Sequence, residues 1–468
     1  VKWSWSIVQV HPKGNINNPQ KWLFLFTPVD AAARVNYLSQ NSEGMKVLIL
    51  GSGGREHAMA WKICQSSLVS HLFIAPGNPG TAGHGINVPL EVMDFLSVAN
   101  FCAEHQVEMI IIGSLAPLAG GLRDFLEKDR RLSQLIIVGP GKAGARLESS
   151  LDMAKSFMIR HGIPTARYGS FDYSSANEAL AFLDTIKGPY VIKSDAITEE
   201  KAVVIAEKIS SAREILTDIL TGERSKATGQ TVVIEEFMEG KEFSVAILTD
   251  GSSYKLLPEA RDYRHINEGD SGPITAGVGA VSPAPFCDAV LMQRTEEQII
   301  KPTLRGLAKD EILYTGFILF RILLFENRPY LIEYAARMGD TETAVILPRI
   351  KSDLANILTG LGDGTFSESD LVTEDRFATT LMLFSRGYPG PCLTGKKIEG
   401  LDAIRGCVGF HGGTKRQQEN TYTAEGRVLS LTALGKTFEQ ALDLCYANAE
   451  VVTFEGKSFR EDIGEDLF

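Results

Sequence analysis

The chain has no C-x-x-C pair, no apolar run long enough to cross a bilayer and no excess of basic residues. Each absence excludes something. Cys64, Cys102, Cys287, Cys392, Cys407 and Cys445 are scattered through apolar or mixed segments. That argues against a disulfide frame or a zinc site and for buried thiols in a reducing cytoplasm. A membrane helix needs roughly 18 apolar residues in a row, so no membrane role is expected. A formal net charge of −11 provides no general face for nucleic acid or an anionic bilayer, although a local basic pocket for phosphates stays compatible with it. What is present is globular: 44% hydrophobic and 22% charged residues. The 468 residues are too many for one core, which points to about three domains.

Residues 1–44 are rich in Asn, Gln and Trp and show no sustained period. The apolar piece Trp22-Leu23-Phe24-Leu25-Phe26 lacks the flanks of a signal peptide. The expectation is a start placed too far upstream or, alternatively, a disordered extension. From Met45 the pattern becomes strand, glycine turn, helix. Val47-Leu48-Ile49-Leu50 runs into Gly51-Ser52-Gly53-Gly54-Arg55-Glu56-His57 and a helical Ala58–Lys62 stretch. Further strands are expected at Leu72–Ile74, Met109–Ile112 and Leu135–Val138, an alternation that predicts a doubly wound parallel sheet.

Glycines after a first strand let backbone N–H groups approach a phosphate at a helix N-terminus. The pattern is G-x-G-G rather than the dinucleotide G-x-G-x-x-G, which disfavours a nicotinamide cofactor. Pro76-Gly77-Asn78-Pro79-Gly80-Thr81 forms a second loop at the same expected sheet edge. Either loop also reads as a plain tight turn.

Ser150 and Asp152 can cap a helix running through Ile159, and His161-Gly162-Ile163-Pro164 ends it. The strand Tyr190-Val191-Ile192 carries Lys193 at its end, suited to a phosphate or simply to solvent. Val232–Glu236 is a strand ending in Glu235 and Glu236, followed by Phe237 and Glu242. Its acids can accept ribose hydroxyls beside an apolar adenine wall, or form an ordinary polar strand exit. Arg261-Asp262-Tyr263-Arg264 begins what reads as a long glycine-rich loop reaching Gly279. Beyond about Ser367, strands at Ala378–Leu383 and Gly426–Leu431 and a helix over 437–448 predict a small α+β unit.

The apolar strand Pro329-Tyr330-Leu331-Ile332 stops in a cluster of charges, Glu333, Arg337 and Asp340. A rigid strand end facing a cleft is where a carboxylate can hold a divalent cation, and a guanidinium in the next loop could clamp a substrate carboxylate. A solvated strand exit is the plainer alternative.

Several motifs in order carry a resemblance over some 420 residues: Gly51–Ala58, Pro76-Gly77-Asn78, His161–Ala166, Val233–Phe237, Ser282–Pro285, Tyr314–Phe317, Arg337–Thr343, Gly387-Tyr388-Pro389, Phe410–Lys415, Gly426-Arg427-Val428 and Asp462-Ile463-Gly464. On these the chain resembles the glycinamide ribonucleotide synthetases (phosphoribosylamine–glycine ligases), ATP-grasp enzymes of purine synthesis. The resemblance implies a Rossmann-like pre-ATP-grasp domain over 45–148 and an ATP-grasp domain over 149–367 with a mobile lid at about 168–238. A small α+β domain over 368–468 would follow. It also implies a monomer or weak homodimer acting on glycine, 5-phosphoribosylamine and ATP with Mg²⁺ or Mn²⁺. Gly53, Gly54, Arg55, Asn78, Arg261 and Asp262 would then serve the substrates. Lys155, Lys193, Lys201, Glu235, Glu236, Phe237 and Glu242 would hold ATP. Glu333 would hold the metal, and Arg337 with Asp340 would work at the substrate end.

The sequence departs from that family at telling places. An asparagine expected two residues after Glu333 is Ala335, which offers no oxygen. A phosphate lysine expected at 151 is Leu151. The glycine-rich lid loop is Ala196-Ile197-Thr198-Glu199-Glu200-Lys201-Ala202, keeping only its lysine. Gly113-Ser114-Leu115 replaces a Gly-Pro-Glu turn. Ile274, Ala276 and Val278 stand where Asn, Gly and Met are usual, and Phe320-Arg321 interrupts a small, apolar pattern. Three expectations follow: a ligase with an unusual ATP site, a pseudoenzyme paralogue with a binding or regulatory role, or a ligase with a changed substrate.

Overall fold

The computed structural model describes residues 44–194, 203–221 and 231–467. Its first unit is a parallel sheet of five strands, β1 (Met45–Gly51), β2 (Val69–Pro76), β3 (Ile86–Asn87), β4 (Met109–Ile112) and β5 (Ile136–Val138), ordered β3-β2-β1-β4-β5. Val47, Leu48, Ile49 and Leu50 are all fully buried. Consecutive burial is what a parallel strand covered on both faces requires, and it explains why β1 reads as an unbroken apolar run. β1 leads through Gly51–Gly53 into the helix Gly54–Ile63, and the order reverses between β1 and β4, the crevice where open α/β sheets take ligands.

A second sheet is four-stranded and antiparallel: β6 (Tyr168–Phe171), β7 (Tyr190–Ser194), β8 (Val203–Ala206) and β9 (Val232–Glu236), ordered β6-β9-β7-β8. It carries its own core, which includes Leu183, Ile192, Leu216 and Ile234. The next sheet consists of β10 (Lys241–Thr249), β11 (Tyr254–Leu256), β14 (Gly316–Phe325) and β15 (Arg328–Ala335), ordered β11-β10-β14-β15. The helix Leu151–Arg160 contributes Phe157 and Met158 to the core of this sheet.

The glycine-rich stretch expected as a loop is instead a hairpin, β12 (Arg261–Asn267) and β13 (Ser271–Ser282). Glycines at 277 and 279 look like breakers in sequence, yet Val278 between them and Ala280 and Val281 after them are buried and set a strand. β13 pairs with β16 (Phe377–Ser385), which pairs with β18 (Arg427–Gly435) and through it with β17 (Cys407–His411). The C-terminal sheet thus takes two strands from the central stretch of chain. Among the described residues no helix is long and apolar enough to cross a membrane.

Candidate functional site

β7 and β9 pair antiparallel with Val191 opposite Glu235. Alternation then puts Lys193 on the same face as Glu235. Lys193 Nζ lies 2.7 Å from Glu235 Oε1. The helix Leu151–Arg160, capped by the Ser150 hydroxyl accepting from Met153 N, delivers Lys155 to the other carboxylate oxygen. Lys155 Nζ donates to Glu235 Oε2 at 2.9 Å and to Thr165 Oγ1 at 2.8 Å. Burial opposes charge on Glu235, but Lys193 and Lys155 overcome it and hold its carboxyl below the usual range. Burial also lowers the Lys155 ammonium pKa, against the pull of Glu235. Glu235 is therefore a buried strut between two lysines, not a ribose acceptor as the strand-end reading allowed. Leu151 occupies the core, so a lysine there is replaced by packing.

Between this sheet and β14–β15 lies a partly open cleft of about 120 Å³. Lys193, Glu236, Phe237, Glu242, Arg264 and Glu333 are among the residues lining it. Apolar walls come from Val191, Ile205, Leu323 and Ile332, with Ala166 and Met238 beside them. An apolar slot with a lysine, acids and an aromatic at its rim suits a purine nucleotide. Lys201 and the 196–202 loop lie outside the described residues.

The strand register places Arg321 on β14 directly opposite Glu333 on β15, which lines the cleft, and Leu319 opposite Ala335. Arg321 Nη1 donates to Glu333 Oε1 in a short bond, and Arg264 Nη1 donates to the same oxygen at 3.2 Å. Arg321 Nη2 reaches Asp262 Oδ2 and Glu342 Oε1, both at 3.0 Å. Asp262 and Glu342 are almost wholly buried. Burial works against the Arg321 charge, yet Asp262, Glu333 and Glu342 hold its pKa well above the ordinary value. Burial, with Asp262 next, pushes the Glu342 carboxyl up.

Mg²⁺ needs near-octahedral oxygen ligation. The residues here do not fit it: Glu333 Oε1 is held by two guanidiniums, and position 335 has only a methyl group. Among the described residues no group of three or more His, Cys, Asp and Glu could hold a metal.

The substrate-end residues are drawn together but mostly engaged with one another. Arg337 Nη2 pairs with Glu148 Oε1 at 3.1 Å, whose other oxygen accepts from Ala336 N at 2.7 Å. Asp340 opens the helix Asp340–Arg349. Its Oδ1 accepts from Arg55 N at 2.8 Å and its Oδ2 from Arg427 Nη1 at 2.6 Å. Burial raises the Asp340 carboxyl, but Arg427 and Arg55 bring it below the usual range. Gly53 N donates to Glu56 Oε2 at 2.7 Å.

The structure does not bring the remaining predicted substrate residues to that end as free groups. Asn78 Nδ2 donates to Ser52 O and His411 O, both at 2.8 Å, and its Oδ1 accepts from Gly80 N at 2.8 Å. Its amide ties the second loop to the first and to β17. Arg261 is paired with Asp270 and Asp466, and Asp262 with Arg321. Sequence reasoning missed Glu148, Arg264 and Arg427 as partners. The available signal for Arg321 was its break in an apolar strand.

Residues 45–148 match the phosphoribosylglycinamide synthetase N domain, 149–343 its ATP-grasp (A) domain and 378–466 its C domain. A phosphoribosylamine–glycine ligase of Chlorobaculum tepidum is 40% identical over 428 residues, covering 90% of this chain and 99% of that protein. The crystal structure of the phosphoribosylamine–glycine ligase from Thermotoga maritima superposes with a TM-score of 0.76 at 32% identity, covering 89% of this chain and all of that one. The biotin carboxylase domain of a 2-oxoglutarate carboxylase from Hydrogenobacter thermophilus, solved with magnesium ADP and bicarbonate, superposes at 0.65 with 14% identity. That last likeness is one of fold.

Proposed function

The chain belongs to the phosphoribosylglycinamide synthetase family, and we propose that it joins glycine to 5-phosphoribosylamine with ATP at the cleft between β7–β9 and β14–β15. The glycine carboxylate takes the terminal phosphoryl group of ATP, giving glycyl phosphate and ADP. The amine of phosphoribosylamine then attacks the acyl carbon, phosphate leaves, and the amide of glycinamide ribonucleotide forms. No covalent bond to the protein is required, so the side chains position reactants and offset charge.

The observation that carries this reading is the lining of the cleft, where Lys193, Phe237, Glu242 and Glu333 stand among apolar walls. Phe237 and the apolar walls cover the purine, and Glu236 and Glu242 receive ribose hydroxyls. Lys193, steadied by Glu235, whose other oxygen Lys155 holds, meets phosphate oxygens. Arg337 orients the acyl end, while Asp340 holds the Gly53-Gly54-Arg55 turn on which phosphoribosylamine rests. In this role the chain works in the cytoplasm as a monomer or weak homodimer. ATP-grasp enzymes of this family use ATP with Mg²⁺; the residues around Glu333 do not supply such a site, and no step is assigned to a metal.

The test is ADP release by the purified chain with both glycine and phosphoribosylamine, and with each omitted. Release requiring both supports the ligase. Release requiring neither, or none at all, overturns it. The Arg321–Glu333 pair favours a second reading, a catalytically impaired paralogue that retains nucleotide. That reading expects ATP binding without glycine-dependent ADP.

A further inference from the structure

Arg321 is a departure that adds a charged group instead of removing one, directly behind Glu333 of the cleft wall. Its guanidinium reaches three carboxylates, on β15, on β12 and on the helix Asp340–Arg349. A side chain from a central strand of the β11-β10-β14-β15 sheet thus links that sheet to the C-terminal one. Three acids converging on one point repel each other and attract a cation. Here the cation is built into the chain. Arg264 closes on Glu333 from the hairpin side and also lines the cleft. Ala335 fits the same logic, since a polar ligand beside Glu333 has no use when the charge is already matched. Among the described residues Arg321 Nε is buried without a hydrogen-bond partner. The side chain is therefore held by its two terminal nitrogens, each of which meets carboxylate oxygen.

We propose that the Arg321 guanidinium takes the seat of a divalent metal at Glu333, so that the cleft binds its nucleoside triphosphate as the metal-free polyphosphate anion. The charge of the phosphates is met by Lys193 and Arg264 at the cleft wall, with Lys155 and Arg321 behind them. A divalent ion approaching Glu333 Oε1 would meet two guanidiniums already on that oxygen. The metal-bound nucleotide is therefore the disfavoured form. This inference rests on the nucleotide reading of the cleft given above.

The test is calorimetry of ATP binding to the full chain in EDTA and in excess Mg²⁺, together with Mn²⁺ titration followed by electron paramagnetic resonance. The expected result is an affinity in EDTA equal to or tighter than that in Mg²⁺, and no protein-bound Mn²⁺ signal with or without ATP. Arg321→Ala combined with Ala335→Asn should reverse the order, with EDTA weakening ATP binding by about tenfold or more. If that variant does not fold, the wild-type comparison still decides. Wild-type binding that EDTA weakens about tenfold, or a bound Mn²⁺ signal that ATP sharpens, overturns the inference while leaving the ligase reading to its ADP assay. Metal-independent binding without ADP release upholds the inference and sinks the ligase. Absence of binding in both buffers overturns both.

Discussion

Glu235 and Glu333 both carry paired cations, but the two arrangements answer different demands. Glu235 sits with Lys155 and Lys193 where burial is nearly complete. Removing one partner of such a group leaves the others charged and unmatched, at a cost of about 3–5 kcal/mol. Glu235→Gln is therefore expected to lower the unfolding free energy by about that amount in urea titrations. Glu236→Gln, on a half-buried neighbour, should stay within ~1 kcal/mol. Equal small effects would show that Glu235 is not the strut described. At Glu333 the question is competition between cations. Each of the two guanidiniums on Glu333 Oε1 repels a divalent ion about 4 Å away by about 8 kcal/mol at an effective dielectric of ~20, so together they offset about what one carboxylate oxygen at ~2 Å returns. The strand-end glutamate was legible in the sequence as a cation seat. Which cation sits there was not, because the pairing of Arg321 with Glu333 depends on strand register.

The β12–β13 hairpin shows why element type and site were legible to different degrees. β1, β4, β9 and β15 are apolar runs ending in a glycine or a charge, and their identity as strands follows from composition alone. β13 contains three glycines between Ser271 and Gly279, which reads as loop until pairing with β16 is known. One of them has a specific job. Gly277 has φ +110°, and a Cβ there would lie 2.6 Å from Thr341 Oγ1. The hairpin therefore lies against the first turn of the helix Asp340–Arg349, and Ala276 O accepts from the same Arg427 Nη1 that holds Asp340. Gly277→Val combines backbone strain with overpacking, each costing about 1–3 kcal/mol. It is expected to lower the urea midpoint and to loosen Arg55, measured as faster hydrogen exchange at the Arg55 amide. Unchanged exchange at that amide would separate the hairpin from the site.

At the scale of the whole molecule, the order of motifs along the chain implied a first sheet, a central ATP-grasp portion and an α+β end. The seams between them were hidden, because they consist of single side chains whose partners lie far away in sequence. Asn78 reaching His411 O is one seam, and the histidines beside it make another. His57 Nδ1 accepts from His411 N at 2.7 Å, and the His57 ring lies 5.2 Å from that of His84. Burial, then His84 and His411, lowers the His57 pKa well below its usual value. Burial and His84 lower His411 from 6.5 to about 4. A histidine with a depressed folded pKa favours folding fully above its unfolded value. The unfolded chain takes the proton first as pH falls, so that contribution drains away between about pH 6.5 and 4. For His411 the loss approaches about 3 kcal/mol at the low end, and protonating His57 Nδ1 would also break its bond from His411 N. Asp340 and Glu235, whose folded pKa values are depressed, act lower: their contributions hold above about pH 4 and fade only beneath it. From about pH 6.5 to 5 the histidine seam loses stability, while Glu342 and Glu259, whose folded pKa values are raised, act in the opposite sense as they take up protons. The urea midpoint of the wild type should fall across that interval, and His411→Asn should flatten that slope. A wild-type midpoint constant from pH 7 to 5, with the same constancy in His411→Asn, would mean that the histidines keep their ordinary affinity for protons and that the seam is open to water.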